Sequence, residues 1–279
     1  MPANSPDLES PIIINGEPGG TLDPKDRGLA YGDGFFETLL YDQGALQNWR
    51  LHWQRMRKSA NVLQIDLPNE STILNDITKL ALNPQTPATV KIIITRGPGG
   101  RGYSPKNCHN STVILSQSPV PNYSLAKQNG VELALLKTPL SEQHSLAGLK
   151  HLNRLNQVMA RLELEQTDCF EGVLCNREGH VREVIASNIY LVSEGQVITP
   201  PLHDCGVEGT IRAKLLNRAN NCKYPIKEQE FSVEQLLQAD EVFISNSLMG
   251  ICPVKQIAQQ HFPLGEVSGY FSALTPEKD

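Results

Sequence analysis

The sequence predicts a mixed α/β (α+β) protein of two domains, and three observations lead there. Strand-like and helix-like segments follow one another without the regular β-α-β alternation of a doubly wound sheet. The stretch Pro119-Val120-Pro121-Asn122 interrupts all periodicity near the middle of the chain. The length of 279 residues lies well above the roughly 100–150 most common for one domain. The expected organisation is a flexible polar leader over 1–11, an N-terminal α/β domain over 12–118, a linker over 119–124 and a C-terminal α/β domain over 125–279.

In the first half, Ile12–Ile14 reads as a short strand closed by the tight-turn dipeptide Asn15-Gly16. Phe35–Tyr41 is aromatic and β-branched, and Asp42-Gln43-Gly44 turns it into a second strand, Ala45–Trp49. Leu51, Arg55, Met56, Val62 and Leu63 fit one helix, and Ile73, Leu74, Ile77 and Leu80 a second. Thr89–Arg96 and Ser111–Ser118 read as strands flanking the glycine-rich loop Gly97–Gly102. In the second half, Val131–Lys137 is a strand, and Leu149–Glu165 a helix with an apolar stripe of Leu152, Leu155, Met159 and Leu162. Gly172–Asn176 and Ile189–Val192 are strands about the turn Arg177-Glu178-Gly179. Gly209 precedes a helix over Thr210–Ala219, Ser232 and Gln235 form a capping box, and Glu241–Ser245 is a late strand.

Charge and composition narrow the function. Lys and Arg number 25 against 30 Asp and Glu, a net −5, which argues against a nucleic-acid surface, since phosphate binding needs a local excess of cations. No apolar run reaches the ~18 residues of a membrane helix, and the polar start has no secretory pattern. Six irregularly spaced cysteines without a Cys-x-x-Cys pair read as reduced thiols of a cytoplasmic protein, and the histidines show no metal-ligand spacing.

Several residues could carry chemistry. The Gly97–Gly102 loop ends in Arg101-Gly102-Tyr103, where a nucleotide-phosphate loop would need Gly-Lys-Ser/Thr, and Ser104-Pro105 breaks any helix after it. It remains either a surface connection or a mobile loop offering Arg101 and Tyr103 to an anion. Lys150, at the start of the expected helix, is either a solvated lysine or a desolvated nucleophilic amine. Glu183 is either a strand-edge carboxylate facing water or a functional anion. Gly209-Thr210-Ile211 opens a helix, whose free N–H groups suit an anion, as at any helix start.

The combination is more telling. Asp26-Arg27-Gly28-Leu29-Ala30-Tyr31-Gly32-Asp33-Gly34-Phe35-Phe36-Glu37-Thr38, Leu51-His52-Trp53-Gln54-Arg55, Arg96–Tyr103, Leu146–Arg154, Glu183–Tyr190, Gly206–Arg212 and Ser245–Met249 together resemble the fold-type IV pyridoxal-phosphate enzymes. That family holds branched-chain and D-amino-acid aminotransferases and a lyase branch acting on 4-amino-4-deoxychorismate. The resemblance spans Ile12 to Val254 and is greatest to the lyase branch, through the Arg-Gly-Tyr loop and the Lys-His-Leu-Asn-Arg tract. It implies a two-domain fold with pyridoxal 5'-phosphate at the domain interface, a small-molecule substrate and a homodimer.

By the same resemblance, Lys150 would anchor the cofactor and move protons, and Glu183 would face the pyridine nitrogen. Arg55, the Gly209-Thr210-Ile211 segment and Ser247 would hold the phosphate. Arg101 and Tyr103, with Tyr31 and Arg27, would meet the substrate carboxylates. The implied activity is elimination of pyruvate to give 4-aminobenzoate. The alternatives are an aminotransferase of branched-chain or D-amino acids, and a cofactor-binding protein without turnover. The tract His151–Leu155 lacks the tyrosine that branched-chain aminotransferases carry near the ring hydroxyl, a departure that favours the lyase branch.

Overall fold

The computed structural model describes residues 11–108, 110–219 and 222–274. Of the leader expected over 1–11, residues 1–10 lie outside them. The chain divides into two compact units, one running to Pro121 and including Lys150–Asn153, the other comprising Asn122–Leu149 and the chain from Arg154.

The first unit contains β1 (Ile13–Ile14), β2 (Glu17–Pro18), α1 (Arg27–Tyr31), β3 (Gly34–Asp42), β4 (Ala45–Leu46), α2 (Trp49–Leu63), α3 (Glu70–Thr78), β5 (Ala88–Thr95) and β6 (Thr112–Pro119). Its six described strands form an antiparallel sheet in the order β2-β1-β6-β5-β3-β4. Both tight turns form where the sequence places them. Asn15 and Gly16 take φ of 50° and 81° between paired Ile14 and Glu17, and Gln43 and Gly44 take 51° and 80° between Asp42 and Ala45. β4 stops at Leu46 rather than Trp49, because Trp49 begins α2. Strand alternation puts Phe35, Glu37 and Leu39 on one buried face of β3, against Met56 and Ala60 of α2 and Ile73 and Ile77 of α3. Glu37 is thus a carboxylate on a core face.

The second unit contains α4 (Ser124–Asn129), β7 (Val131–Leu135), α5 (Leu155–Leu164), β8 (Glu171–Cys175), β9 (Val181–Val184), β10 (Asn188–Ser193), β11 (Gln196–Thr199), α6 (Thr210–Asn217), β12 (Ile226–Glu228), α7 (Val233–Leu237), β13 (Glu241–Asn246), β14 (Gly250–Ile257), β15 (Gln260–His261) and α8 (Glu266–Leu274). The sheet runs β12-β11-β10-β13-β14-β7-β8-β9, with β15 on β14; β11–β12, β14–β7 and β7–β8 are parallel. Val131, Leu133, Ile189, Leu191, Val242, Ile244 and Val254 fill one core, and Tyr190, Ile211, Phe243 and Phe271 another. The Ser232–Gln235 capping box forms at α7. Among the described residues no helix is long and apolar enough to cross a membrane.

Three expectations are corrected. The helix expected over Leu149–Glu165 begins only at Leu155, because Lys150–Leu152 is extended and hydrogen-bonded to β3. For the same reason Lys150–Asn153 groups with the first unit, although the sequence reading assigns it to the C-terminal domain. The apolar stripe of that helix is not core: Leu155 is 77% exposed, Met159 55% and Leu162 52%, while Ala160 and Leu164 face inward.

Candidate active site

In the first unit, Lys150 lies on an extended segment at the start of β3. Phe36 N–H donates to the Lys150 carbonyl at 2.9 Å, Leu152 N–H donates to Gly34 O at 2.9 Å, and His151 bridges Phe35. The Lys150 ammonium stands 4.5 Å from the centroid of the Phe36 ring and is half-buried. One residue along β3, the buried Glu37 carboxylate accepts from Arg55 Nε at 2.8 Å, and Arg55 Nη2 and His52 Nδ1 share its other oxygen. His52 and Arg55 reach it together because they stand three residues apart on α2. Burial would raise the Glu37 carboxyl, but Arg55 and then His52 outweigh it and hold it at about 2. His52 moves down, by burial first and then by the charges of Arg55 and Lys150, against the pull of Glu37. An ionised Glu37 beside a neutral imidazole puts the shared proton on His52 Nδ1.

The glycine-rich loop belongs to the same unit. Arg27 donates Nε to Asp33 at 2.8 Å, Nη1 to Gly102 O at 3.0 Å and Nη2 to Tyr103 O at 3.0 Å. Arg96 grips the same Asp33 and also donates to Leu63 O and Gln64 O at the end of α2. Arg27 is buried and committed to the loop backbone, so its guanidinium holds the loop rather than presenting itself to a ligand. What the loop displays is Tyr103, 84% exposed and 5.4 Å from the Tyr31 ring, with Arg101 exposed two residues before it.

In the second unit, Glu183 on β9 is buried, not a carboxylate facing water. Its Oε2 accepts from Val207 N–H at 2.8 Å and its Oε1 from Gln157 Nε2 at 3.4 Å. Two residues beyond Val207, Gly209 caps α6 without a side-chain cap bond, so Thr210 and Ile211 open the helix with their amides at its positive end. Thr210 and Ile211 are both buried. Asn188, also buried, donates Nδ2 to Val207 O at 2.8 Å and accepts from Gly209 N–H at 3.1 Å. A Cβ on Gly209 would lie 2.0 Å from Asn188 Oδ1, so only glycine fits there. Neighbouring Ser187 accepts from Asn246 Nδ2 at 3.0 Å. The Asn246 side-chain oxygen Oδ1 accepts from Leu248 and Met249 N–H, closing the turn that carries Ser247.

The structure therefore brings Glu183, the Gly209–Ile211 segment and the Ser247 turn into one hydrogen-bonded neighbourhood of the second unit, and Lys150 and Arg55 onto adjacent positions about β3 of the first. Sequence reasoning missed Glu37, His52, Ser187 and Asn188. An acidic residue at an inward strand position, and His and Arg at helical spacing, were the available signals for the first two; nothing local marked the others. Among the described residues no group of three or more His, Cys, Asp or Glu side chains is arranged for a metal.

Comparison with known proteins shows the family. The family described as amino-transferase class IV matches residues 34–257. An aminodeoxychorismate lyase of Vibrio harveyi is 36% identical over 91% of this chain and 96% of its own. A putative branched-chain-amino-acid aminotransferase of Methanocaldococcus jannaschii is 29% identical over 88% of this chain and 87% of its own. The crystal structure of 4-amino-4-deoxychorismate lyase from Pseudomonas aeruginosa superposes with a TM-score of 0.89 at 38% identity, covering 94% of this chain and 97% of that one. With a family match across most of its length and relatives above 30% identity, the chain belongs to the class IV amino-transferase family.

Proposed function

We propose that the chain is a pyridoxal-phosphate-dependent aminodeoxychorismate lyase, eliminating pyruvate from 4-amino-4-deoxychorismate to leave 4-aminobenzoate for folate synthesis. The observation that carries this reading is likeness across nearly the whole chain to proteins of that name, at 36% and 38% identity. The tract His151–Leu155, without a tyrosine, supports the same branch.

The donor set fits the cofactor. A phosphate monoester needs several N–H and O–H donors, and α6 offers its first amides and the Thr210 hydroxyl, with Gly209 packed against Asn188 at the helix start. By the family resemblance, Ser247 and Arg55 would add further donors to the phosphate. A protonated pyridine nitrogen needs a buried anion, which Glu183 supplies, already oriented by Val207. An aldehyde needs a primary amine, and Lys150 is that amine. Pyridoxal phosphate, when bound, supplies an electron sink conjugated to the substrate amine.

The residues do the rest. Lys150 Nζ would hold the cofactor and then take the proton from the amine-bearing ring carbon, and Glu183 would keep the pyridine nitrogen protonated. The carbon–oxygen bond to the enolpyruvyl group breaks as the ring becomes aromatic. The proton lost from the ring equals the one gained by the departing methylene, so neither water nor an oxidant is consumed. Arg101 and Tyr103 meet the substrate carboxylates beside Tyr31, on a loop that Arg27 pins.

The protein works in a reducing compartment such as the cytoplasm, a placement that its unpaired cysteines support. It works as a homodimer, a second copy covering the exposed Leu155, Val158, Met159 and Leu162 of α5.

The test is a coupled assay in which a synthase makes the substrate in place and 4-aminobenzoate and pyruvate are followed together. Equal release of both, lost in Lys150→Ala, supports the lyase. No release, with amino exchange between the bound cofactor and alanine or glutamate, would move the assignment to an aminotransferase.

A further inference from the structure

Resting on that reading, we infer that Asn188 is a positioning residue, which fixes the spacing between the pyridine-facing Glu183 and the phosphate-binding start of α6. After Gly206, which turns the chain at φ 86°, the backbone groups of Val207–Gly209 alternate between two edges. On one edge Gly148 N–H donates to Gly206 O at 3.0 Å and Glu208 N–H donates to Gly148 O at 3.0 Å, as a parallel β-bridge. On the other edge, among the described residues, no strand continues the ladder. There the Asn188 carboxamide takes the place of a peptide group, donating to Val207 O at 2.8 Å and accepting from Gly209 N–H at 3.1 Å.

That second edge is also the one that meets Glu183, through Val207 N–H at 2.8 Å. One peptide unit therefore ties the carboxylate to Val207, and one side-chain amide ties Val207 to the first amide of the phosphate segment. Asn188 is 5% exposed and stands five residues from Glu183, across the tight turn in which Val184 bridges Ser187. The same turn reaches the Ser247 segment through Ser187 and Asn246 at 3.0 Å.

The covalent structure of pyridoxal phosphate fixes the distance from its ring nitrogen to its phosphate. A site that grips both ends gains from both only if its own two ends are held at that distance. Asn188 is the part that sets it, and it needs no contact with the cofactor to do so.

The experiment compares two probes, pyridoxal 5'-phosphate and pyridoxal without its phosphate, titrated by absorbance into cofactor-stripped wild type, Asn188→Ala, Asn188→Asp and Thr210→Val. Thermal unfolding of each stripped protein is recorded beside it. Wild type is expected to prefer the phosphorylated probe strongly. Asn188→Ala is expected to lose at least tenfold of that preference while its affinity for pyridoxal changes less than threefold. Asn188→Asp, which keeps the size and the acceptor for Gly209 but loses the donor to Val207, is expected to lose as much, and it carries the measurement if the alanine variant does not fold.

A fall in affinity for both probes by the same factor, tracking a fall in unfolding temperature, would mean a merely structural role and overturn the inference. An unchanged preference in folded Asn188 variants, with the preference reduced in Thr210→Val, overturns the inference alone. A wild type that does not distinguish the two probes overturns it together with the proposed cofactor site.

Discussion

The Glu37 carboxylate binds the Arg55 guanidinium through Nε at 2.8 Å and through Nη2, and both side chains are buried in the first unit. This pairing fixes the plane of the arginine proposed to hold the cofactor phosphate. Glu37→Gln leaves that guanidinium buried without a counter-charge and is expected to cost about 3 kcal/mol of stability near neutral pH. The Glu37 carboxyl lies at about 2 in the folded protein, against 4.5 ordinarily. A depressed carboxylate contributes fully above its unfolded pKa and loses that contribution as pH falls through the folded one. The difference between wild type and variant should hold steady above pH 4.5 and shrink between 4.5 and 2. Urea unfolding at a series of pH values measures it, and a difference that ignores pH would refute the ion pair as its source.

Glu171 behaves in the opposite sense. Burial pushes its carboxyl up to about 7, against the charge of Arg161 and the N–H groups of Gly172 and Ala186, and Glu183 adds to the rise. Among the described residues Oε2 has no hydrogen-bond partner. A raised carboxyl binds its proton more tightly when folded, so stability falls as pH climbs from 4.5 to about 7 and is level above that. Glu171→Gln removes the titrating group at constant shape. It is expected to exceed wild type in stability at pH 8 by up to roughly 3 kcal/mol, at ~1.4 kcal/mol per tenfold change in proton affinity, and to match it below pH 4.5. Thermal unfolding at pH 8 and pH 4 decides it; a variant less stable at both would sink the assignment.

Arg27 holds the loop at Gly102, Tyr103 and Ser104 through three carbonyls. Arg27→Ala is expected to raise tryptic cleavage after Arg101 by roughly tenfold, as local opening becomes easier. It should also raise KM more than it lowers kcat, since the loop positions rather than reacts. Limited digestion read by mass spectrometry tests the first part and steady-state kinetics the second. A protected loop in the variant would show that other contacts hold it.

Leu155 and Leu162 stand 77% and 52% exposed on one helix. Leu155→Glu with Leu162→Glu is expected to shift the protein from dimer to monomer by sedimentation velocity at micromolar concentration, with little loss within the fold. A wild type that sediments as a monomer would refute the proposed dimer.

The legible parts of this protein were those set by neighbours in sequence. Asn15-Gly16 and Gln43-Gly44 made their turns because positive φ at those positions is a local property, and the long runs Thr89–Arg96 and Ser111–Ser118 became β5 and β6. Ser232 with Gln235 made its cap, and Gly209 marked the start of α6. The elements that escaped were β2, β9, β11, β12, β14, β15, α1, α4 and α8, most of which are short or, like β14 with Pro253, carry a residue that weakens strand periodicity. The helix start at Leu155 escaped because the 3.6-residue spacing runs on through Leu152, while the backbone of Lys150–Leu152 is claimed by β3, more than a hundred residues away in sequence.

By itself, then, the sequence determined the order of most elements, the turns and the family, and it supplied the residues proposed here for the cofactor, Lys150, Glu183, Arg55, Thr210 and Ser247. Side-chain chemistry and local backbone preference are properties of a residue and its near neighbours. Only the tertiary structure decided that Lys150 sits on an extended segment rather than a helix, that Glu37 and His52 hold Arg55, that Arg27 serves the loop, and that Asn188 spans Val207 and Gly209. Each of those depends on hydrogen bonds closed between residues distant along the chain, and such partners are chosen by the packing of whole elements.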